Sequence, residues 1–432
     1  MLDFFSKLVQ RSAVFVLLVL TLAAVVAFAA VSHLVTRFNL NQQARGRKLY
    51  AQGLADMNAG KPDFAIDEFR AALTCDSDNS QYQLNLGRAL RDTGRLDEAE
   101  SYLESLWERT PEDGTINLAL ARVAAKRGSL DDATRYYHNA MYGVWTSDAD
   151  ANRRKARIEL IEFLLQKKAI AQARSELYAL TDFLPADPAL HLQAAQFLMQ
   201  SQDYPNALAE YEKVLHLDHG NDHGNDHSNA VALAGAGEAA FRAGRYRTAD
   251  RYLEAAVNAN PQDSTSRSLH ASASLILEID PFVRRISDAE RNRRIAADFT
   301  RAGDRLAACA QQKGIDLTAA SSAASSSPTT SPTPPSHPAS PFTKSNASSN
   351  AGSSAPPSSA QPVAPLVALQ SRWLTTKRDL PRLRSIGETD LPDAIMDVVF
   401  QIEQQTAIIC GEPQGDDQAL LLISRDREDA DQ

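Results

Sequence analysis

Cysteine is scarce, with only Cys75, Cys309 and Cys410 in 432 residues. Three cannot build a disulfide framework, and no C-x-x-C pair offers a zinc or redox site. Aromatic residues are only 7% of the chain against 44% hydrophobic residues overall. A core made mainly of Ala and Leu suits closely packed helices. Basic charge is also short, with 45 Lys and Arg against 54 Asp and Glu for a formal net charge of −9. A generic nucleic-acid binder gathers a basic excess on one face, so no nucleic-acid partner is expected. No paired acid and base and no activated nucleophile stands out, so neither an enzyme nor a cofactor is expected.

One long apolar run is present. Ala13 to Val31 is 19 residues whose only polar member is Thr21, and Ser32 to Val35 extend it. As a helix rising about 1.5 Å per residue it matches a hydrocarbon core roughly 30 Å thick. Residues 13–35 read as a single-pass transmembrane anchor behind an N-terminal tail, 1–12. A cleaved signal peptide is the alternative, since Lys7 and Arg11 precede the run and Ala27-Phe28-Ala29 fits a cleavage site. Counting Arg37, Arg45, Arg47 and Lys48 after the span favours a cytoplasmic body, but long domains translocate largely regardless of charge. An extracytoplasmic, periplasmic-side body is preferred, with the cytoplasmic-facing one as alternative.

Beyond the span the chain repeats itself. Ala65, Ala99 and Ala133 are spaced by 34 residues, as are Phe69, Leu103 and Tyr137, and Ala72, Leu106 and Ala140; Gly53, Gly87 and Ala121 keep the same step. After an insertion of six the register resumes through Ala173 and Leu177, then Ala207 and Tyr211, and after a second, of eight, through Gly237, Ala249 and Leu253. Small residues at the eighth and twentieth positions let two helices approach, and a large one at the twenty-fourth fills the space between. Pro111, Pro185 and Pro261 sit where pairs end, and "DTGRLDEAE" and "KRGSLDDAT" put Gly at a helix end with Asp at the next start.

At these positions residues 46–263 resemble the tetratricopeptide repeat family, although its Trp near the fourth position is absent throughout. The resemblance implies an all-α solenoid of about six helix-turn-helix repeats that binds other proteins or peptides along an inner groove. Carried onto this register, the groove residues are Asn85, Arg88, Arg91, Arg122 and Lys126, with Glu159 and Glu162 farther along, basic toward one end and acidic toward the other. A family subclass that clamps a C-terminal carboxylate is not matched: Asn85 agrees, but Tyr50, Leu54, Thr115 and Ala119 occupy its other positions. The expected function is a membrane-anchored scaffold mediating protein-protein interactions in the cell envelope.

Residues 264–314 read as a degenerate capping pair broken at Asp280-Pro281, since terminal repeats present a polar outer face. The Ser/Pro-rich segment 318–362 reads as a disordered linker. Residues 363–426 read as a helical tail docking on the solenoid, with Ile395, Val398, Val399, Ile402 and Ile409 on one face. Cys309 and Cys410 each end a helix. Two buried free thiols are the ordinary reading, and a disulfide tying tail to cap is the alternative in an oxidising compartment. Three smaller features have competing readings. The loop 218–227 places His219, His223 and His227 among Asp218, Asp222 and Asp226, a weak metal-ligand set and the basis of an alternative metal-handling function. A tandem HGND duplication explains the loop more simply. Gly235-Ala236-Gly237 looks like part of a phosphate loop but falls inside a repeat helix, where packing explains it. Arg284, Arg285, Arg291, Arg293, Arg294, Arg301 and Arg305 are interleaved with acids and read as a solvated face.

Overall fold

The computed structural model describes residues 2–218, 226–317, 363–384 and 390–430, with only the backbone at residues 2–17, 218, 226–228, 363–364, 384 and 428–430. The linker 318–362, together with His219, His223 and the side chain of His227, lies outside the described residues. Among the described residues there is no strand, and one isolated bridge joins Asp113 to Val144. Contacts divide the chain into two units, Met1–Pro185 with Gln200–Gln202, and Ala186–Met199 with Asp203–Gln432.

The first unit begins with helix α1, Leu2–Asn58, roughly 85 Å long at about 1.5 Å per residue. The sequence separates the span 13–35 from a repeat starting at 46, whereas the structure joins them without a break. Residues 36–45, TRFNLNQQAR, contain no Gly or Pro to end a helix. Among the described side chains the apolar part of α1 packs against nothing: Leu22, Val26, Phe28 and Leu34 are all exposed. Its most apolar stretch reaches a mean hydropathy of 2.4, long and apolar enough to cross a membrane.

The end of α1 pairs with α2, Pro62–Cys75, and three further pairs follow: α3 with α4 (Ser80–Asp92, Leu96–Trp107), α5 with α6 (Gly114–Arg127, Leu130–Tyr142), and α7 with α8 (Ala149–Gln166, Ile170–Thr181). The 34-residue step is a packing device. A Cβ on Gly53 would lie 2.6 Å from the Phe69 ring, and one on Gly87 would lie 2.8 Å from Leu103. The eighth position must therefore stay small for the twenty-fourth to fill the space between the two helices of a pair. Ala65, Ala99, Ala133 and Ala173, at the twentieth position, are fully buried. Gly94 and Gly128 close their turns in the left-handed region at φ 82° and 87°, where a side chain costs roughly 1–2 kcal/mol. The following helices α4 and α6 carry Asp97 with Glu98 and Asp131 with Asp132 in their first turns, where acid favours the N-terminal dipole. Direct capping instead falls at the other turns. The Asp113 carboxylate accepts from the amides of Thr115 and Ile116 at 2.7 and 3.2 Å, and the Asn79 side chain accepts from that of Tyr82 at 3.3 Å.

The second unit continues the register. Its pairs are α9 with α10 (Pro188–Gln200, Tyr204–Asp218) and α11 with α12 (Asp226–Arg242, Tyr246–Ala259). Ala207 and Ala249 are fully buried. Added Cβ atoms on Gly235 and Gly237 would lie 2.3 Å from the Tyr211 ring and 2.6 Å from Leu253. Close packing therefore accounts for this glycine pair. Helices α13, Ser264–Ile279, and α14, Asp288–Gln312, stand where the sequence places a capping pair, but they do not pack along each other: α13 lies against α12, and α14 lies against the helices that follow. Three helices follow, α15 (Val363–Lys377), α16 (Leu391–Cys410) and α17 (Asp416–Ala430), with a 3-10 turn at Leu380–Arg384 between the first two.

The tail helices share a core with α13 and α14, in which Ile295, Phe299, Leu306, Leu366, Ile395, Val399, Ile402 and Leu420 are buried together. Trp373 stacks on Phe299 with centroids 5.4 Å apart, and its indole donates to the Phe299 carbonyl at 3.1 Å. Cys309 and Cys410 are joined as a disulfide, their Cα atoms 5.8 Å apart, and Cys75 is free. The arginine run on α14 is consumed in local pairing. Arg293 and Arg294 hold Glu290, Arg301 bridges Asp298 to Asp416, and Arg305 donates to the Gly411 carbonyl at 2.8 Å.

Candidate functional site

Helices α3, α5 and α7 are the first members of successive pairs and present one polar row in the first unit. Asn85 donates to the Tyr50 hydroxyl at 2.8 Å, and Arg88 donates to the Asn85 side-chain oxygen at 3.3 Å. The Arg88 Nε is buried without a hydrogen-bond partner. Burial, then the nearby charges of Arg122 and Arg91, hold the Arg88 guanidinium below its usual pKa. A negative ligand group would relieve both effects.

The expected bases lie on α3 and α5 and the expected acids on α7, and the two ends are tied to each other. Arg122 grips Glu159 of the next repeat through two parallel bonds of 2.8 and 2.7 Å, with both side chains about three-quarters buried. Such bidentate pairs are among the stronger charge-assisted contacts. Lys126 donates to the carbonyls of Arg91 and Asp92 at 2.7 and 3.1 Å, where the C-terminal end of α3 favours a cation. Arg91 itself pairs with Asp92 at 2.6 Å. Glu162 stands beside Glu159, and burial followed by that neighbouring charge raises its pKa. The basic and acidic ends of this row thus meet at the Arg122–Glu159 pair, because adjacent first helices face each other across repeats.

On one side of the Arg122–Glu159 bridge is a recess of about 540 Å³ bordered by Arg91, Lys126, Tyr137, Glu162 and Phe163. On the other is a recess of about 420 Å³ lined by Arg88, Thr115, Leu118, Arg122, Trp145, Thr146, Ser147, Asn152 and Lys155. Its lining holds three cations and several hydroxyl or amide groups, and no carboxylate. Lys155 is exposed and forms no ion pair among the described residues.

The six-residue insertion builds the wall of this second recess. Val144 exchanges backbone hydrogen bonds with the start of α5, its carbonyl accepting from Gly114 at 2.9 Å and its amide donating to Glu112 at 2.7 Å. Trp145 lies over Gly114, where an added Cβ would meet the indole at 2.4 Å, and its Nε1 donates to the Ala140 carbonyl at 2.9 Å. Gly143 is boxed by backbone: an added Cβ would lie 2.8 to 2.9 Å from the Asn139 and Glu112 carbonyl oxygens and the Gly114 Cα. Register-based reasoning missed Trp145, Thr146, Ser147, Asn152 and Lys155. The usable signal was the insertion itself, a Trp within a break of the period.

Among the described residues no group of His, Cys, Asp and Glu is arranged to hold a metal ion. Stacked two-helix units presenting a lined inner row define a helical-repeat protein. The tetratricopeptide repeat family model matches residues 50–113 and, one unit later, 86–151, so this part of the chain consists of tetratricopeptide repeats. No curated protein matches the chain. Among solved structures, PilF of Pseudomonas aeruginosa is similar at 16% identity, covering 54% of this chain and 99% of that one with a TM-score of 0.37. The C-terminal part of a TPR repeat-containing protein from Cytophaga hutchinsonii is similar at 14% identity, covering 55% and 93% with a TM-score of 0.41. YrrB, a TPR protein with an unusual peptide-binding site, is similar at 16% identity, covering 46% and 96% with a TM-score of 0.35.

Proposed function

We propose that the chain is a membrane-anchored repeat scaffold of the cell envelope that holds an extended, acidic segment of another protein against α3, α5 and α7. The observation that carries this reading is the recess in which Arg88 and Lys155 face a lining without a carboxylate, its third cation Arg122 being already paired with Glu159. Its guanidinium, ammonium and hydroxyl donors suit carboxylates and backbone carbonyls of a bound segment. Anchoring rests on the unpacked apolar half of α1, whose exposed leucines, valines and phenylalanine favour lipid over water. A body outside the cytoplasm is supported by the Cys309–Cys410 pair, since disulfides persist in oxidising compartments.

Fluorescence anisotropy on the full chain in detergent tests the binding claim. A labelled acidic peptide is expected to bind, and a basic peptide of equal length is not. Reversing charge at Arg88→Glu and Lys155→Glu together is expected to weaken the acidic peptide by about a hundredfold, from loss of two charge-assisted contacts. Arg122 is left intact because removing it strands the partly buried Glu159. Equal binding of both peptides, or an unchanged affinity in the double variant, rejects the reading.

A further inference from the structure

The opposite side of α7 carries a second recess, and its chemistry differs from that of the first. Asn152, Lys155, Glu159 and Glu162 face the row described above. At about 100° per residue, Arg153, Arg154 and Arg157 lie on the reverse side of the helix. There they border a recess of about 790 Å³ whose apolar lining comes from Met141 and Tyr142 at the end of α6 and from Leu180, Phe183 and Leu184 at and beyond the end of α8.

Two features set it apart from ordinary surface. Tyr142 is 79% exposed and Phe183 is 83% exposed, and both line the recess together with buried Met141 and Leu180. The residues equivalent to Tyr142 in repeats 1, 2 and 4 are Thr74, Glu108 and Asp182, so this one position is polar in those repeats. The second feature is unspent cationic charge. Arg157 is fixed by Glu176 at 3.2 Å and the Ala179 carbonyl at 3.0 Å. Arg153 makes long contacts only, to Asp150 at 3.7 Å and the Gly143 carbonyl at 3.4 Å. Arg154 is half-buried and forms no ion pair or hydrogen bond among the described residues. Exposed aromatics beside arginine are the residue types that dominate binding energy at protein interfaces, and an apolar recess with a few convergent polar groups is the usual form of a binding site.

We infer that this recess is a second, independent docking site, for a peptide segment in which a large apolar side chain adjoins one or more carboxylates. The apolar side chain fills the recess beside Tyr142 and Phe183, and the flanking carboxylate is taken by Arg154, with Arg153 able to leave its exposed partner Asp150. Charge decides the class of occupant: with Arg157 paired to Glu176, Arg154 and the loosely held Arg153 leave the lining a cationic excess over Asp150, which disfavours basic segments and favours acidic ones. Two sites on opposite faces of α7 would let one scaffold hold two segments at once.

The test uses the full chain in detergent and a labelled peptide containing Glu-Glu-Phe-Leu. In a chain already carrying Arg88→Glu and Lys155→Glu, which removes the concave row's own affinity for acidic segments, adding Arg154→Glu or, separately, Phe183→Ser is expected to weaken it at least about tenfold. Both altered side chains are solvent-accessible, and unchanged thermal midpoints would confirm intact folding. The inference is overturned if neither variant weakens the peptide. It is equally overturned if the concave-row double variant abolishes this binding, or if both variants lose binding to phosphatidylglycerol vesicles while the peptide is never bound. Loss of acidic-peptide binding at Arg88 and Lys155 alone would speak only to the first site.

Discussion

Replacing Cys309 and Cys410 together by alanine is expected to cost the second unit about 3–4 kcal/mol, lowering its thermal midpoint by roughly 10 °C. The bridged residues are 101 positions apart. In the chain-entropy account a loop of that size is among those whose closure in the unfolded state gives the largest stabilisation, with measured values commonly about 2–4 kcal/mol. The segment closed by the bridge includes the Ser/Pro-rich stretch 318–362, whose composition gives little core of its own. The tail helices α15 to α17 therefore depend on the covalent tie as well as on their shared core with α13 and α14. Calorimetry of the oxidised protein, the reduced protein and the double variant checks this. The last two should coincide, and thiol labelling should find one reactive cysteine in the native oxidised chain and three after reduction and unfolding. A midpoint indifferent to reductant would refute the expectation.

Raising the pH from about 5 to 8 is expected to destabilise the same unit by several kcal/mol, and Glu403→Gln is expected to remove a large part of that slope. Asp298 of α14 and Glu403 of α16 are both fully buried. Arg301 reaches one Asp298 oxygen at 3.0 Å, while the other Asp298 oxygen and both Glu403 oxygens have no hydrogen-bond partner. Burial pushes Glu403 up to about 8, with Asp417 and Asp298 adding to the effect and Arg305 opposing it. Burial likewise pushes Asp298 up to about 7 against the pull of Arg301. Asp417 is raised by burial as well, against Arg305.

The sign follows from proton counting. A carboxyl whose folded pKa exceeds its unfolded value binds more protons when folded, so stability falls with rising pH between the two values and flattens above the folded one. Each unit of separation corresponds to about 1.4 kcal/mol. The acids held low by hydrogen-bonded arginines, such as Glu290 at about 2 beside Arg293 and Arg294, lose their contribution only at more acidic pH and leave this window untouched. At pH 8 Glu403→Gln should raise the midpoint by roughly 5–10 °C, reflecting about 3 kcal/mol, and at pH 5 it should change little. A midpoint that climbs from pH 5 to 8, or a variant with the wild-type slope, would contradict this.

The repeat was legible because one packing contact generates it. Gly53 against Phe69 and Gly87 against Leu103 need fixed residue sizes at fixed intervals, and fixed intervals survive in the sequence. The polar row was only half legible. Arg122 and Glu159 are 37 positions apart, an interval set by the insertion rather than the 34-residue step, so the register could name both residues but not join them. The insertion's part in lining the basic recess was invisible for the same reason: residues inserted into a single repeat have no counterparts to reveal a pattern. Glu403 was readable in principle, since it follows Val399 by four residues on an apolar helix face. The partner helix that buries it comes from α14, about a hundred residues earlier, and helical periodicity says nothing of such distant contacts. The bridge from Cys309 to Cys410 stood as one of two readings because helix ends give no inter-helix distance.

The account depends most on the row of α3, α5 and α7 being where another protein is held. Photocrosslinking in intact cells tests it directly, with a benzophenone side chain placed at Thr115 in the basic recess or at exposed Glu104 on α4. Discrete protein adducts are predicted from position 115 and absent from position 104, and they should vanish when Arg88→Glu and Lys155→Glu are combined. Adducts of equal yield at both positions, or adducts from 115 that persist in the charge-reversed chain, would contradict it.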